Sequence, residues 1–90
     1  MQDSSKTAVA RIYSKDHCGS CVRARYLLQQ IGARVEEIDL TGDIDGMRRI
    51  IQLTGKLTLP QIFVGDELIG GYEELENSLR NPRIREALGV

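Results

Sequence analysis

Several sequence features are scarce in this chain, and their scarcity excludes whole classes of protein. Its 90 residues include two cysteines, and the formal net charge is -1. So small a charge argues against nucleic acid or an anionic membrane as the main partner. No apolar run approaches the roughly 20 residues that span a bilayer, and the polar residues 1–7 lack the apolar middle of a secretory signal. We therefore expect a cytoplasmic protein that binds neither nucleic acid nor membranes.

The length of the chain bounds its organisation. Ninety residues suffice for one hydrophobic core and are too few for two. No repeat, linker or low-complexity segment interrupts the sequence. We expect a single domain over residues 8–90, preceded by a flexible N-terminus at residues 1–7.

The two cysteines form the motif Cys18-Gly19-Ser20-Cys21, which is the most informative feature of the chain. Two thiols at this spacing can close a reversible disulfide, whereas such a short loop gains almost nothing as a structural staple. The motif follows a short apolar run at residues 8–13, typical of a strand. It opens a helical pattern whose apolar positions are Cys21, Ala24, Leu28 and Ile31, and Gly32 supplies the stop signal.

This position, where a strand leads into a helix, predicts different chemistry for the two sulfurs. Unpaired backbone N–H groups and the positive end of the helix dipole stabilise an anion, so Cys18 should ionise more readily than free cysteine. Free cysteine has a pKa of about 8.5, which falls to roughly 3.5–7.5 in such settings. Lys15, and to a lesser degree Arg23, would add positive potential. We expect Cys18 to be the nucleophile and the more buried Cys21 to be the resolving thiol.

Two other readings involve His17, which precedes the motif. A Cys-His catalytic pair is one of them, but adjacent residues at the end of a loop usually point apart. Zinc bound by Cys18, Cys21 and His17 is the other, and it has too few protein ligands at poor spacing. We expect His17 to be a solvent-exposed residue beside the motif and the protein to have no resident metal.

The rest of the chain predicts a mixed sheet covered by helices. Residues 34–40 alternate apolar and polar side chains as a strand does, and a helix joins them to the strand at 8–13, so the two strands should be parallel. Residues 43–54 have helical spacing and end at Gly55. Residues 61–64 and 67–69 flank a tight turn and predict a hairpin. Residues 72–79 and 83–88 are predicted helical.

Three segments, in order and correctly spaced, closely resemble the glutaredoxin family over about residues 8–80. They are Tyr13-Ser14-Lys15 with the two cysteines, Leu53-Thr54-Gly55 running into Thr58-Leu59-Pro60-Gln61-Ile62-Phe63-Val64-Gly65, and Ile69-Gly70-Gly71-Tyr72-Glu73-Glu74-Leu75. The resemblance implies an α/β thioredoxin-like fold, with a four-stranded mixed sheet of order 2-1-3-4 flanked by three to four helices. It also implies glutathione as reductant and co-substrate.

The resemblance further implies a glutathione groove around the dithiol. Thr58, Leu59 and Pro60 would form one wall, with a cis bond between Leu59 and Pro60 that lets the Leu59 backbone pair with an extended peptide. Lys15 matches the family lysine that meets the glycyl carboxylate. Arg48 or Arg49 would add a contact there, and the sequence leaves open which of them faces the groove.

The paired glycines before the third helical segment match the family site for the γ-glutamyl end of glutathione. Gly71, Tyr72 and Glu73 are the expected binding residues, with a backbone N–H for the carboxylate and an acidic side chain for the amine. Glu74 is a second acidic candidate. The family more often carries aspartate at this position, which is shorter than glutamate by one methylene.

The dipeptide Gly19-Ser20 departs from the Cys-Pro-Tyr-Cys common in dithiol members of the family. Members with small residues here sometimes hold a [2Fe-2S] cluster between two protomers and two glutathiones, in which case Cys18 would be the metal ligand. Thioredoxin itself usually has a tryptophan before its motif, and this chain has no tryptophan.

We therefore expect a glutaredoxin that reduces protein disulfides and glutathionylated proteins, with Cys18 and Cys21 as its catalytic residues. It should act as a monomer. The alternative is a carrier or sensor of a glutathione-ligated [2Fe-2S] cluster, which would require a homodimer.

Overall fold

A computed structural model describes residues 7–90 of the chain. The predicted flexible N-terminus, residues 1–7, lies outside the described residues except for Thr7. Four strands and four helices follow one another in this order: β1 (Ala10–Ser14), α1 (Gly19–Gln30), β2 (Val35–Asp39), α2 (Ile44–Thr54), β3 (Gln61–Val64), β4 (Glu67–Gly70), α3 (Tyr72–Ser78) and α4 (Pro82–Leu88).

The strands form one mixed sheet in the order β2-β1-β3-β4, as predicted. β2 lies parallel to β1, with Ala10 opposite Val35, because α1 carries the chain back to the starting edge of the sheet. β3 pairs antiparallel with β1 and β4 pairs antiparallel with β3. The end of β1 therefore lies in the middle of the sheet, beside the start of β3, and this is where the dithiol follows.

Helices cover both faces of the sheet and divide the core in two. The larger cluster contains residues of β1 and β3 with the apolar sides of α1, α3 and α4; its fully buried members include Ile12, Leu28 and Leu75. The smaller cluster, Leu40, Ile50 and Phe63, lies under α2. Ile62 and Phe63 enter different clusters because successive side chains of a strand point to opposite faces.

The helix ends differ from the prediction by one or two residues, for reasons visible in their caps. Asp43 is the N-cap of α2 rather than its first residue, since its carboxylate accepts the N–H of Gly46 at 2.8 Å. Asn81 likewise caps α4, so that helix begins at Pro82 and not at Arg83. Gly55 ends α2 with a φ of 75°, as expected of a stop signal.

The helices are short. Within residues 7–90, none combines the length and the apolar composition that crossing a bilayer requires.

Candidate active site at the start of the first helix

Cys18 is the N-cap residue of α1. Its φ of -119° is extended, and its Sγ accepts the backbone N–H of Cys21 at 3.2 Å. The sulfur of Cys18 therefore lies against the first turn of α1, where N–H groups have no partner within the helix. This confirms the predicted position of the motif, and ionisation of Cys18 at neutral pH stays a prediction.

The two cysteines are joined in a disulfide, and they differ in exposure. Cys21 is only 2% exposed and belongs to the buried side of α1, whereas Cys18 is half-buried. The expected difference in burial is thus confirmed. A reagent approaching from solvent meets the sulfur of Cys18 first.

The segment before β3 lies directly against this sulfur. The Leu59-Pro60 bond is cis, as the resemblance implied. The Sγ of Cys18 is 3.9 Å from the carbonyl oxygen of Leu59. A disulfide sulfur carries no hydrogen, so this is a van der Waals contact in the oxidised protein, and only the reduced thiol could donate across it.

A buried glutamine, which sequence analysis did not single out, supports the same segment. Gln61 is 1% exposed, and its Nε2 donates to the carbonyl oxygen of Thr58 at 2.7 Å. Its Oε1 has no hydrogen-bond partner among the described residues. Gln61 therefore ties the chain before Pro60 to the start of β3. Its position just after a proline was the available signal, because a polar residue at the first position of a buried strand needs a local partner.

Six of the predicted binding residues line one cavity of about 250 Å³, which we call the Tyr72 cavity. Its walls come from the start of α1, the segment before β3 and the start of α3. The complete lining is Ser20, Arg23, Thr58, Leu59, Pro60, Gly71, Tyr72, Glu73 and Glu74. The structure therefore brings these six residues together, and their role in binding stays a prediction; sequence analysis missed Ser20 and Arg23 as lining residues.

The two glutamates of the Tyr72 cavity are not equivalent. Glu74 accepts the N–H of Gly71 at 2.9 Å, which occupies its carboxylate at the start of α3. Glu73 is exposed and makes no hydrogen bond or ion pair with any described residue. Glu73 is thus the free acidic side chain of the pair, while Glu74 has a structural partner.

Lys15 lies on the other side of Leu59. It lines a cavity of about 300 Å³ together with Leu59, and a larger one of about 660 Å³ together with Cys18. We call the larger one the Lys15 cavity. Lys15 does not line the Tyr72 cavity, so the predicted groove consists of separate hollows: Cys18 lines the Lys15 cavity, and Leu59 lines the Tyr72 cavity.

A hydrogen-bonded network forms one wall of the Lys15 cavity. The hydroxyl of Ser14 donates to Glu37 at 2.7 Å, and Arg25 donates to the other carboxylate oxygen of Glu37 at 3.1 Å. Ser14 is 3% exposed. Sequence analysis missed this network, because it depends on which residues of β1, β2 and α1 come to face each other.

The structure also locates the two arginines of α2. Arg48 forms an exposed ion pair with Asp45 at 3.3 Å. Arg49 lines a different cavity, with Ile38 and Leu53. Neither arginine lines the hollows beside Cys18 and Leu59.

His17 lines the Lys15 cavity and has a φ of 55°, in the left-handed region. No hydrogen bond joins it to Cys18 in the described part of the chain. Nor do residues 7–90 contain a group of three His, Cys, Asp or Glu side chains that could hold a metal ion. The structure therefore does not assemble the Cys-His pair or the zinc site.

Comparison with known proteins gives a consistent picture. The sequence profile of the glutaredoxin family matches residues 10–69. Glutaredoxin-C2 of Arabidopsis thaliana is 36% identical over 69 residues, which are 73% of this chain and 62% of that protein. Glutaredoxin 3 of Escherichia coli K12 is 35% identical over 68 residues, covering 76% of this chain and 82% of that protein. The chain thus spans about three fifths of the plant relatives' length.

Solved glutaredoxin structures have a similar fold over most of this chain. The crystal structure of a buckwheat glutaredoxin-glutathione complex has a TM-score of 0.80 at 32% identity, covering 91% of this chain and 77% of that one. The solution structure of glutaredoxin from Brucella melitensis has a TM-score of 0.78 at 29% identity, covering 92% and 90% of the two chains.

Proposed function

This chain belongs to the glutaredoxin family, and from that premise we propose that it is a glutathione-dependent thiol-disulfide oxidoreductase. Its substrates would be protein-glutathione mixed disulfides and protein disulfides. The observation that carries the proposal is the position of Cys18: its sulfur caps α1 and lies against Leu59, and Cys18 lines the Lys15 cavity, which is large enough for part of a small peptide.

The proposed groove runs past the sulfur in both directions. Glutathione would pair its cysteine with the backbone of Leu59, place its γ-glutamyl end in the Tyr72 cavity and direct its glycyl carboxylate toward Lys15. The arrangement is supported by the separation of Lys15 from Glu73, since a tripeptide needs its two charged ends recognised apart. The buckwheat neighbour was solved as a complex with glutathione, which supports the same ligand here.

The first step is attack of the Cys18 thiolate on the glutathione sulfur of a glutathionylated protein. A new disulfide forms between Cys18 and glutathione while the bond from glutathione to the protein breaks. The protein leaves as a thiolate and takes up a proton. The N–H groups at the start of α1 stabilise the attacking anion before the reaction.

Regeneration follows one of two routes. With a glutathionylated substrate, a second glutathione thiolate attacks the glutathione sulfur on Cys18, which releases oxidised glutathione and restores the thiolate. With a protein disulfide, Cys18 forms a mixed disulfide with the protein, and Cys21 attacks Cys18 and expels the protein thiol. The product of the second route is the Cys18-Cys21 disulfide seen here, which two glutathiones reduce.

One chain alone does not supply the ligands of a [2Fe-2S] cluster, so the alternative of a cluster carrier or sensor stays a prediction that requires a homodimer with glutathione as a further ligand. Such a cluster takes four thiolate ligands, whereas this chain has two cysteines, one of them 2% exposed. No step of the proposed reaction involves a metal.

A coupled assay tests the proposal. A glutathionylated peptide is the substrate, and NADPH consumption is followed with either glutathione and glutathione reductase or thioredoxin reductase alone as the source of electrons. We expect turnover with glutathione and little with thioredoxin reductase. Turnover only with thioredoxin reductase would reject glutathione dependence and leave a generic dithiol domain.

A further inference from the structure

Arg23 stands out among the residues that line the Tyr72 cavity. It lies on α1 two positions after Cys21, and it is the one cation among the nine lining residues. It faces a wall formed by the start of α3, which contributes Tyr72, Glu73 and Glu74. The cavity therefore has a positive side chain on one wall and acidic side chains on the other.

Arg23 has no ion-pair or hydrogen-bond partner for its side chain among residues 7–90. Four other arginines of residues 7–90 form ion pairs, namely Arg11, Arg25, Arg48 and Arg83. No carboxylate of the described chain lies within 4.0 Å of Arg23. The two glutamates opposite are thus near enough to share a cavity with Arg23 and too far to neutralise it.

The charge of Arg23 nevertheless acts on the opposite wall. Partial desolvation raises the pKa of Tyr72, and the hydrogen bond from its hydroxyl to Glu76 at 3.2 Å adds to the rise. The positive charge of Arg23 opposes that rise. Arg23 is therefore close enough to Tyr72 for a ligand placed between them to feel its field.

An unpaired cation and an unpaired carboxylate across one small cavity match a particular kind of ligand. Glu73 is free, whereas Glu74 is occupied by the N–H of Gly71. An α-amino-acid head carries an ammonium and a carboxylate on the same carbon, so it could contact Glu73 with the first and Arg23 with the second. A guanidinium can hold a carboxylate through two parallel hydrogen bonds.

We propose that Arg23 binds the α-carboxylate of the γ-glutamyl end of the thiol substrate, and so makes this cavity specific for a free α-amino-acid head. This inference rests on the proposed use of glutathione. In this assignment Arg23 and Glu73 bind the two charges of the head from opposite walls. A thiol peptide whose terminal carboxylate is blocked would keep its ammonium contact and lose the contact with Arg23.

The experiment measures the preference for that carboxylate at equilibrium. In a Cys21→Ser protein, Cys18 forms a stable mixed disulfide, and mass spectrometry gives its yield with oxidised glutathione or with an oxidised analogue whose γ-glutamyl α-carboxyl is an amide. We expect Cys21→Ser to prefer glutathione. Adding Arg23→Gln should reduce that preference about fivefold, the upper size of an exposed ion pair, and Arg23→Lys should retain part of it.

Arg80→Gln is the matched control, because it removes one exposed positive charge from the turn after α3, away from the Tyr72 cavity. It should keep the full preference for glutathione. The preference due to Arg23 should also shrink at high salt, since exposed charges are screened. Equal melting temperatures of the variants would show that none of them acts by unfolding the protein.

The outcomes separate the two proposals. If Arg23→Gln keeps the preference for glutathione over the amide, Arg23 does not bind the carboxylate, and glutathione dependence stands. If Cys18 forms a mixed disulfide with neither compound, both proposals fail together. A preference lost equally in Arg80→Gln would assign the effect to net charge and overturn the role of Arg23.

Discussion

The Lys15 cavity, which Cys18 lines, and the Tyr72 cavity, which Leu59 lines, differ in how their acidic side chains are bound within the protein. In the Lys15 cavity, Glu37 accepts from Ser14 and Arg25, and Asp39 accepts the N–H of Thr41 at 2.9 Å. In the Tyr72 cavity, Arg23 and Glu73 have no partner among the described residues.

This difference suggests a division of roles within one site. A carboxylate already bound by protein donors holds its surroundings in place, because breaking those bonds leaves partners unsatisfied. A charge without a partner has its interactions still to make, and a ligand of opposite charge can supply them. The wall of the Lys15 cavity that contains Ser14, Arg25 and Glu37, which we call the paired wall, would thus stabilise the fold. The side chains without partners, Arg23 and Glu73, would instead determine which substrate binds. The following variants test that division.

The largest effect should come from the sulfur of Cys18, which lies against Leu59 and belongs to the lining of the Lys15 cavity. Cys18→Ser should abolish deglutathionylation, because it removes the nucleophile. Cys21→Ser should keep much of that activity and lose the reduction of protein disulfides, which needs the resolving thiol. Turnover of a glutathionylated peptide and of a protein disulfide measures both. Equal loss of deglutathionylation in the two variants would contradict the assigned roles.

Breaking the paired wall should mainly affect stability. Glu37→Ala leaves Arg25 and the buried hydroxyl of Ser14 without their acceptor, and we expect a loss of about 1–2 kcal/mol in the free energy of unfolding. Urea unfolding measures it. Glu36→Ala is the control, because its pair with Arg11 is exposed and should contribute less. If the Glu37 variant is as stable as the Glu36 variant, the paired wall does not stabilise the fold.

Removing the charge of Glu73 in the Tyr72 cavity should affect binding of glutathione rather than stability. Glu73→Gln should raise the KM for glutathione about threefold to fivefold with no loss of stability, because its carboxylate makes no hydrogen bond or ion pair within residues 7–90. Glu86→Gln, an exposed change on α4, is the control for net charge. Steady-state kinetics and a melting curve test both halves of the expectation. A Glu73→Gln protein that is less stable but has an unchanged KM would show that Glu73 stabilises the fold and does not bind glutathione.

Gln61 supports the segment between the cavities, and its loss should have a smaller effect on binding. Gln61→Leu removes the hydrogen bond to Thr58 together with a buried acceptor that has no partner, so we expect little change in stability. The freed segment should position Leu59 less well, and the KM for glutathione should rise about twofold while ionisation of Cys18 is unchanged. A shifted pKa of Cys18 in that variant would mean that Gln61 acts on the sulfur rather than on the segment.

The smallest effect concerns the pH response of Asp39. Hydrogen bonds from Thr41 lower the pKa of Asp39, so this group stabilises the fold above its unfolded pKa and loses that contribution as the pH falls through its folded pKa. Thr41→Val removes the side-chain donor and should move the pKa of Asp39 back toward its ordinary value. NMR titration of the carboxyl carbon measures the shift. An unchanged pKa would show that the backbone N–H alone holds the carboxylate.

Sequence alone predicted the fold and much of the candidate site, because those features depend on local patterns. Periodicity found the strands and helices, and the family motifs found the segment around Pro60 and the paired glycines. The missed residues depend on tertiary placement. Sequence analysis named Arg23 only as a source of positive potential near Cys18, and it is the approach of α3 that makes Arg23 part of a cavity. Ser14 and Glu37 lie 23 positions apart and meet because β1 and β2 pair in one register.

From the unequal burial of the two cysteines we infer an order of events for the reduction of the oxidised protein. With Cys21 only 2% exposed, an external thiol can approach the disulfide only along the axis that ends on Cys18. In the proposed reaction Cys21 is then the leaving group, and we expect every covalent intermediate to form on Cys18. Electrons would consequently enter and leave the protein through one sulfur atom, so a donor and an acceptor would have to bind there one after the other.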